Sequence, residues 1–180
     1  MRIISGKWKG RRFIAPNNLP TRPTTDFAKE ALFNILNHQL YLDEIKVLDL
    51  FAGIGSISLE FASRGAVKVD AVEQNPICVD FINQSIEKIE AKEIEVFKDD
   101  VFQFLTRSLH DKYDVVFADP PYDLEEEDYN KIVTLIFEND YIEEDGMFIL
   151  EHPKGISFEE HPKFSEHKKY GNVNFSFFYT

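Results

Sequence analysis

The tetrapeptide Asp119-Pro120-Pro121-Tyr122 follows an apolar run, Val115-Val116-Phe117-Ala118, that reads as a buried strand. Prolines end strands cheaply, so the turn alone says little. The acid before it and the ring after it suggest chemistry on a conjugated amine. Such an amine is a poor nucleophile because its lone pair is delocalised. It becomes reactive when acceptors hold its hydrogens and favour a pyramidal nitrogen. Asp119 is one acceptor. The carbonyl of Pro120 is a second, aimed by a turn whose prolines bring no competing N–H. Tyr122 can stack on a base, which is worth roughly 1–3 kcal/mol. Pro120 and Pro121 pre-organise the site, so little must be ordered during reaction. The plainer reading is a strand that ends in a proline turn, with a surface tyrosine.

Other residues with chemical potential sit at comparable places. "DLFAGIGSIS" puts Asp49 near the end of an apolar strand, followed by Phe51, Gly53 and Gly55. Ser58 stands where a dinucleotide fingerprint wants a third small residue, and no Gly-Lys-Ser/Thr follows, so a phosphate-cradling loop is absent. An acid beside the glycine loop would repel a pyrophosphate. It suits S-adenosylmethionine, which carries an ammonium and a sulfonium and no phosphate. Glu73, 24 residues after Asp49, ends a second strand at the spacing of a carboxylate that accepts ribose hydroxyls. Asp100 and Val101 follow a third strand, where an adenine would meet a side-chain acceptor and a backbone N–H. Asp99-Asp100 also reads as an ordinary helix cap, and the glycines as ordinary tight turns.

The elements that must position these residues alternate. Residues 26–40 carry a helical pattern, with Ala28, Ala31, Leu32, Ile35 and Leu36 on one face. "KVLDLF" is a continuous apolar strand, "SISLEFASR" a helix stopped by Gly65, and "KVDAVE" a second strand. Asn75-Pro76 opens a helix with Cys78, Ile82, Ile86 and Ile89 inward. "EIEVF", the helix "VFQFLTRSL" and "YDVVFAD" follow. An acid-headed helix over 125–138 leads to "GMFILEH", and two final strands turn at Gly171-Asn172. This order implies an α/β, doubly wound sheet with an antiparallel edge. Ligands of such sheets bind at the carboxyl ends of the strands, where Asp49, Glu73, Asp99-Asp100 and Asp119 fall. Residues 1–23 form a separate module, for which a hairpin is plausible.

The chain has 180 residues, 43% apolar, a single cysteine and a net charge of −12. It fits one domain with a small appendage. No apolar run approaches the roughly 18 residues of a membrane span. The basic start lacks the apolar stretch of a signal peptide, and Cys78 is expected in the core. A soluble cytoplasmic protein is the simplest expectation. The charge is unevenly placed: residues 1–30 hold seven bases and two acids on an otherwise acidic chain. That suggests a local contact with a polyanion, or simply a solvated basic face. Trp8, among Lys7, Lys9, Arg11 and Arg12, could stack on RNA or plug the module. Histidines 38, 110, 152, 161 and 167 show no paired metal-ligand spacing, so no metal is expected and surface or capping roles are.

Asp-Pro-Pro-Tyr resembles the motif of methyltransferases that act on amines of adenine, guanine and glutamine amides. "RIISGKWKGRR", "RPTTD…KEALFNIL", "VLDLFAGIGSISLEFASRGA", "DPPY" and "YGNVNFSFF" resemble, over nearly the whole chain, the bacterial small-subunit rRNA guanine-N2 methyltransferases of the RsmD type. The resemblance implies a Rossmann-like, seven-stranded S-adenosylmethionine-dependent methyltransferase fold over residues 24–180, with an N-terminal β-hairpin over 1–23. It implies a monomer that acts on the N2 amine of a guanine in 16S rRNA within an assembling 30S subunit, with no membrane partner. Asp49, Phe51, Gly53, Gly55, Glu73, Asp100 and Val101 would hold the cofactor. Asp119, Pro120, Pro121 and Tyr122 would be catalytic. Lys7, Trp8, Lys9, Arg11, Arg12, Arg22, Thr24 and Thr25 would meet RNA. Phe27 stands where the family often has arginine, so one basic RNA contact is either missing there or replaced by stacking. Two other readings share these residues: an adenine-N6 DNA or protein glutamine methyltransferase, and a cofactor-binding rRNA assembly factor with little or no catalysis.

Overall fold

The computed structural model describes residues 1–16, 19, 25–107 and 111–180. Seven strands form one sheet: β1 (Lys46–Leu50), β2 (Lys68–Glu73), β3 (Ile94–Lys98), β4 (Tyr113–Ala118), β5 (Ile142–His152), β6 (Phe164–Tyr170) and β7 (Val173–Tyr179). Their order is β3-β2-β1-β4-β5-β7-β6. The first five run parallel, and β7 pairs antiparallel with both β5 and β6. The direction of strand addition reverses between β1 and β4, which opens a crevice at their carboxyl ends.

Among the described residues there are five helices, one ahead of β1 and four between successive parallel strands: α1 (Asp26–Gln39), α2 (Ser56–Ser63), α3 (Pro76–Ile89), α4 (Val101–Leu105) and α5 (Glu126–Glu138). Alternate strand residues face opposite layers, and both layers are covered, so the strands read as continuous apolar runs. Val47, Val69, Val115, Phe117 and Ile149 pack with Leu32 and Phe33 of α1, Ile57 and Leu59 of α2, and Phe81 of α3. Leu48, Leu50, Val116, Phe148 and Leu150 pack with Phe104 of α4 and Ile132 and Ile136 of α5. Cys78 is fully buried on α3. The Asn75 side chain caps α3, accepting from the backbone N–H groups of Ile77 and Cys78, and Pro76 opens it.

Three boundaries differ from the sequence pattern. The fifth strand begins at Ile142 rather than Gly146, because a register shift between Tyr113 and Val115 lets Ile142 pair with Tyr113 ahead of the main ladder. The sixth begins at Phe164 rather than His167. The helix expected over 101–109 ends at Leu105, with Thr106 as its cap, and Ser108 and Leu109 lie outside the described residues. Val173, Phe175, Phe177 and Tyr179 alternate as expected along β7, but Phe178 is equally buried against the opposite layer.

The N-terminal segment makes a short hairpin-like ladder. Arg2 and Arg12 form an isolated antiparallel bridge, and the Ile3 and Phe13 N–H groups donate to the carbonyls of Arg11 and Met1. Ile3 and Phe13 are buried in the same cluster as α1 and α2. The segment is clasped by α2: Glu60 accepts from the N–H groups of Ile4 (2.8 Å) and Ser5 (2.9 Å), and the Ser63 carbonyl accepts from Lys7 (2.7 Å).

Candidate active site

Register decides which acids meet. Asp49 pairs with Ala71 on one side and Phe117 on the other, and Phe117 pairs with Ile149. Glu73, Asp119 and Glu151 each lie two residues beyond those partners. Side chains alternate with a period of two, so all four carboxylates share one face of the sheet. Three of them stand one step beyond Asp49, across the carboxyl ends of β2, β4 and β5. Asp119 also takes its backbone N–H back to the Leu50 carbonyl at 3.4 Å, next to the glycine loop.

The loop after β1 is held in an unusual backbone. Phe51, Gly53 and Gly55 have φ of 59°, 55° and 74°, all left-handed. For a bulky residue such as Phe51 that conformation is costly and marks a constrained site. At Gly55 a side chain would be both strained and crowded, since a Cβ there would lie 3.0 Å from Ile82 Cγ1. The Ala52 N–H donates to the Val72 carbonyl (3.0 Å), and the Gly53 N–H donates to Glu73 Oε2 (2.8 Å). Glu73 Oε1 accepts from the Asn75 N–H (2.7 Å). Glu73 therefore ties the glycine loop to the start of α3, and each of its oxygens keeps a second lone pair for a ligand hydroxyl.

Asp49 is buried, and its carboxyl accepts a hydrogen bond from the Ser58 hydroxyl. Burial pushes its pKa up to about 7. Ser58 pulls it down, through its hydroxyl and its backbone N–H, and the charge of Glu73 adds to the rise. Ser58 is thus more than a missing glycine. A small side chain is needed for close packing of α2, and this one carries the donor that Asp49 requires.

Asp119 is half-buried as a residue, but little water reaches its carboxyl. Its pKa lies well above the usual range because of burial and then the negative charges of Glu151 and Asp49. Glu151, near the end of β5, was not among the expected site residues. It is 5% exposed, its pKa is raised by burial, and its Oε1 accepts from the Tyr122 hydroxyl at 2.8 Å. Its Oε2 is buried without a hydrogen-bond partner among the described residues. Tyr122 is 47% exposed, so its ring stands at the mouth of the site. Pro120 is buried. The Pro121 carbonyl is occupied, accepting from the Tyr129 hydroxyl (3.1 Å) and the Leu124 N–H (3.2 Å). These bonds fix the turn and leave the Pro120 carbonyl as its unoccupied acceptor among the described residues.

Other expected site residues are otherwise engaged. Asp100 caps α4, its Oδ1 accepting from the Gln103 N–H at 3.0 Å, which leaves Oδ2 for a ligand; Val101 is buried beside it. Thr25 caps α1, accepting from the Ala28 N–H. Lys7 is paired with Glu93 and lies over the Trp8 ring, which packs half-buried against the core. Lys9, Arg11 and Arg12 are exposed, and Arg12 lines an open cleft of about 490 Å³ with Arg2 and Asp26. Phe27 is 62% exposed, with its ring beside the Gly171 turn. Arg22, Thr24 and His110 lie outside the described residues. One expectation fails outright. His152 is neither a surface nor a capping residue; it is 1% exposed, bonds Ser176 Oγ at 2.9 Å, and burial lowers its pKa. The apolar β5–β7 pairing, with Asn174 opposite it, encloses it.

The arrangement suits an organic cation beside a nitrogen nucleophile. Asp49, Asp119 and Glu151 raise one another or are raised by burial, and no lysine or arginine among the described residues relieves them. Among the described residues, no group of three or more His, Cys, Asp or Glu could hold a metal ion, and no helix is long and apolar enough to cross a membrane.

Comparison with known proteins gives this geometry a context. A solved hypothetical protein of Thermus thermophilus superposes with a TM-score of 0.84 at 26% identity, covering 100% of this chain and 99% of that one. The magnesium protoporphyrin IX methyltransferase of Synechocystis, solved with bound S-adenosylmethionine, shares the fold at 16% identity and a TM-score of 0.65, over 83% of this chain and 76% of its own. A Haemophilus influenzae protein named ribosomal RNA small subunit methyltransferase D is 32% identical over 157 residues, 86% of this chain and 79% of its own. The family described as Conserved hypothetical protein 95 matches residues 1–179, and with the relative from Haemophilus it establishes that this chain belongs to that family, the RsmD family of α/β methyltransferases.

Proposed function

We propose that this chain transfers a methyl group from S-adenosylmethionine to the exocyclic N2 amine of a guanine in 16S rRNA, within an assembling small subunit. The observation that carries this reading is Asp119 beside the free Pro120 carbonyl at the carboxyl end of β4, on the same edge of the sheet where β1 and β2 present Asp49 and Glu73. When bound, S-adenosylmethionine supplies an electrophilic methyl on a cationic sulfur. Asp49 and the left-handed loop over Phe51, Gly53 and Gly55 suit its charged amino-acid end. Glu73 suits the ribose hydroxyls, and Asp100 Oδ2 with the Val101 N–H suits the adenine.

Asp119 and the Pro120 carbonyl accept the two amine hydrogens, which turns the nitrogen lone pair toward the methyl. The carbon–sulfur bond breaks as the nitrogen–carbon bond forms. The nitrogen then sheds one proton, and a carboxylate with a raised pKa is a competent acceptor for it. Tyr122 stacks on the base, which has left its helix at a cost of a few kcal/mol. Lys9, Arg11 and Arg12 supply phosphate contacts, and Phe27 a stacking contact near the Gly171 turn. The acidic remainder of the chain favours docking on a ribonucleoprotein particle over tight binding to naked RNA.

The test is methyl transfer from labelled S-adenosylmethionine to immature or protein-stripped 30S particles, with a mass-spectrometric map of the rRNA. Label on a guanine N2 is expected. Label only on DNA or protein would overturn the reading.

A further inference from the structure

Glu151 is the largest unexplained feature of the site. It is a carboxylate almost withdrawn from water, at the same level and on the same face as Asp119, with one oxygen held by Tyr122 and the other unpartnered among the described residues. A buried acceptor without a donor is destabilising unless a ligand supplies one. The proposed function gives Asp119 and the Pro120 carbonyl to the two hydrogens of the amine. Glu151 Oε2 is a third acceptor on the same side.

We propose that Glu151 is the residue that selects the base, its Oε2 accepting the ring N1–H of guanine while Asp119 and Pro120 hold the N2 amine; this rests on the guanine reading above. The chemistry of amine-bearing edges makes the choice sharp. Guanine presents three adjacent hydrogens, one on N1 and two on N2. Adenine and cytosine place an acceptor nitrogen beside their amines, and a glutamine amide places a carbonyl there. An acceptor-only group opposite any of those would face a lone pair and stay unsatisfied. Sites built around a buried polar group reject ligands that leave it unpaired far more strongly than apolar pockets reject a misfit. The Tyr122 hydroxyl fixes the carboxylate and opposes the rise in pKa that burial imposes on it, so Tyr122 links base stacking to base selection.

The test replaces the target guanine by 2-aminopurine, which keeps the N2 amine but has a bare N1, in 16S rRNA ligated and reconstituted into 30S particles. Wild-type protein should prefer guanine about a hundredfold or more in kcat/KM. Glu151→Gln, whose amide can donate to a bare N1, should lower transfer to guanine at least about tenfold and shrink the preference to within about tenfold. Binding of the 2-aminopurine particle, read by its fluorescence, should tighten in that variant. Glu151→Asp keeps an acceptor-only group and should keep the preference at reduced rate. Tyr122→Phe, which needs no change in the strand, should weaken the preference severalfold if Glu151→Gln does not fold. An unchanged preference in Glu151→Gln, or in Tyr122→Phe where that variant stands in, overturns the role of Glu151 while leaving guanine methylation intact. Absence of any transfer to guanine by the wild type overturns both.

Discussion

Glu60 and Glu151 are both carboxylates set inside the same protein, one on α2 and one near the end of β5, and their surroundings are opposite. Glu60 is completely buried and completely answered. It accepts from the N–H groups of Ile4 and Ser5 and from Arg64 Nε at 2.9 Å, and it forms an ion pair with Lys29 Nζ at 3.4 Å. Lys29, itself 1% exposed, also donates to the Arg2 carbonyl (2.6 Å) and Ser56 Oγ (3.2 Å). Glu151 has one hydroxyl on one oxygen, a second carboxyl beside it at Asp119, and no cation among the described residues. The first cluster joins the N-terminal segment to the α/β body and has no capacity left for a ligand. The second lies at the switch point and has capacity left over. A buried charge that is fully satisfied holds structure together, and one left unsatisfied at a strand edge implies a partner from outside.

The sharpest way to break that contrast is to remove Asp119. Asp119→Asn should reduce methyl transfer by about a hundred- to a thousandfold, the scale of losing one aimed polar group in a water-poor site. Its thermal stability should stay level or rise, because a like charge beside Glu151 and Asp49 is gone. Full transfer by the variant would remove Asp119 from the chemistry, whereas biological function left intact by a variant that no longer transfers would favour an assembly factor without catalysis. A large fall in melting temperature would place Asp119 among the structural charges.

The converse experiment is Glu60→Ala. It strands the Lys29 ammonium in the interior and frees the Ile4 and Ser5 N–H groups, so unfolding free energy should fall by about 3–5 kcal/mol. Amide exchange across residues 3–8 should rise before that of the sheet, because the clasp is lost first. The distinction between the clusters fails if Glu60→Ala melts like the wild type and abolishes cofactor binding instead.

The difference between the two clusters was only half visible in the chain. Asp49, Glu73 and Asp119 were legible because apolar strands that end on acids are unusual, and because glycines and prolines mark the turns around them. Glu151 obeys the same rule at the end of "GMFILEH", but its meaning depends on β5 lying parallel beside β4, and no local pattern records which strands are neighbours. Ser58 was visible only as a departure from a glycine fingerprint; its bond to Asp49 spans the whole loop. The Glu60–Lys29 pair joins two helices, its members 31 residues apart in the chain, and each residue alone looks like a surface charge on an amphipathic helix. His152 misled for a related reason. An acid and a histidine at a strand end suggest solvent, and only the antiparallel strand β7, laid over it from the far end of the chain, buries it.

The smallest expected effect is one of slope, and it isolates Asp49 from the rest. Its carboxyl titrates near 7 in the folded protein against an ordinary value of 3.8. The folded state therefore holds a proton that the unfolded chain has already released between about pH 4 and pH 7. Stability from this group is present below the lower value, falls as pH rises through the window, and is level above it. Asp49→Asn keeps the shape and lacks the titration. The unfolding free energy of wild type minus that of Asp49→Asn, measured by urea at a series of pH values, should fall from pH 4 to 7 with a slope of at most about 1.4 kcal/mol per pH unit. Ser58→Ala should carry the fall to higher pH at the same limiting slope, since the Ser58 hydroxyl helps hold the Asp49 pKa down. A flat difference in both comparisons would mean that Asp49 is already compensated in the folded protein, as Glu60 is, and that the uncompensated charge begins only at Asp119 and Glu151.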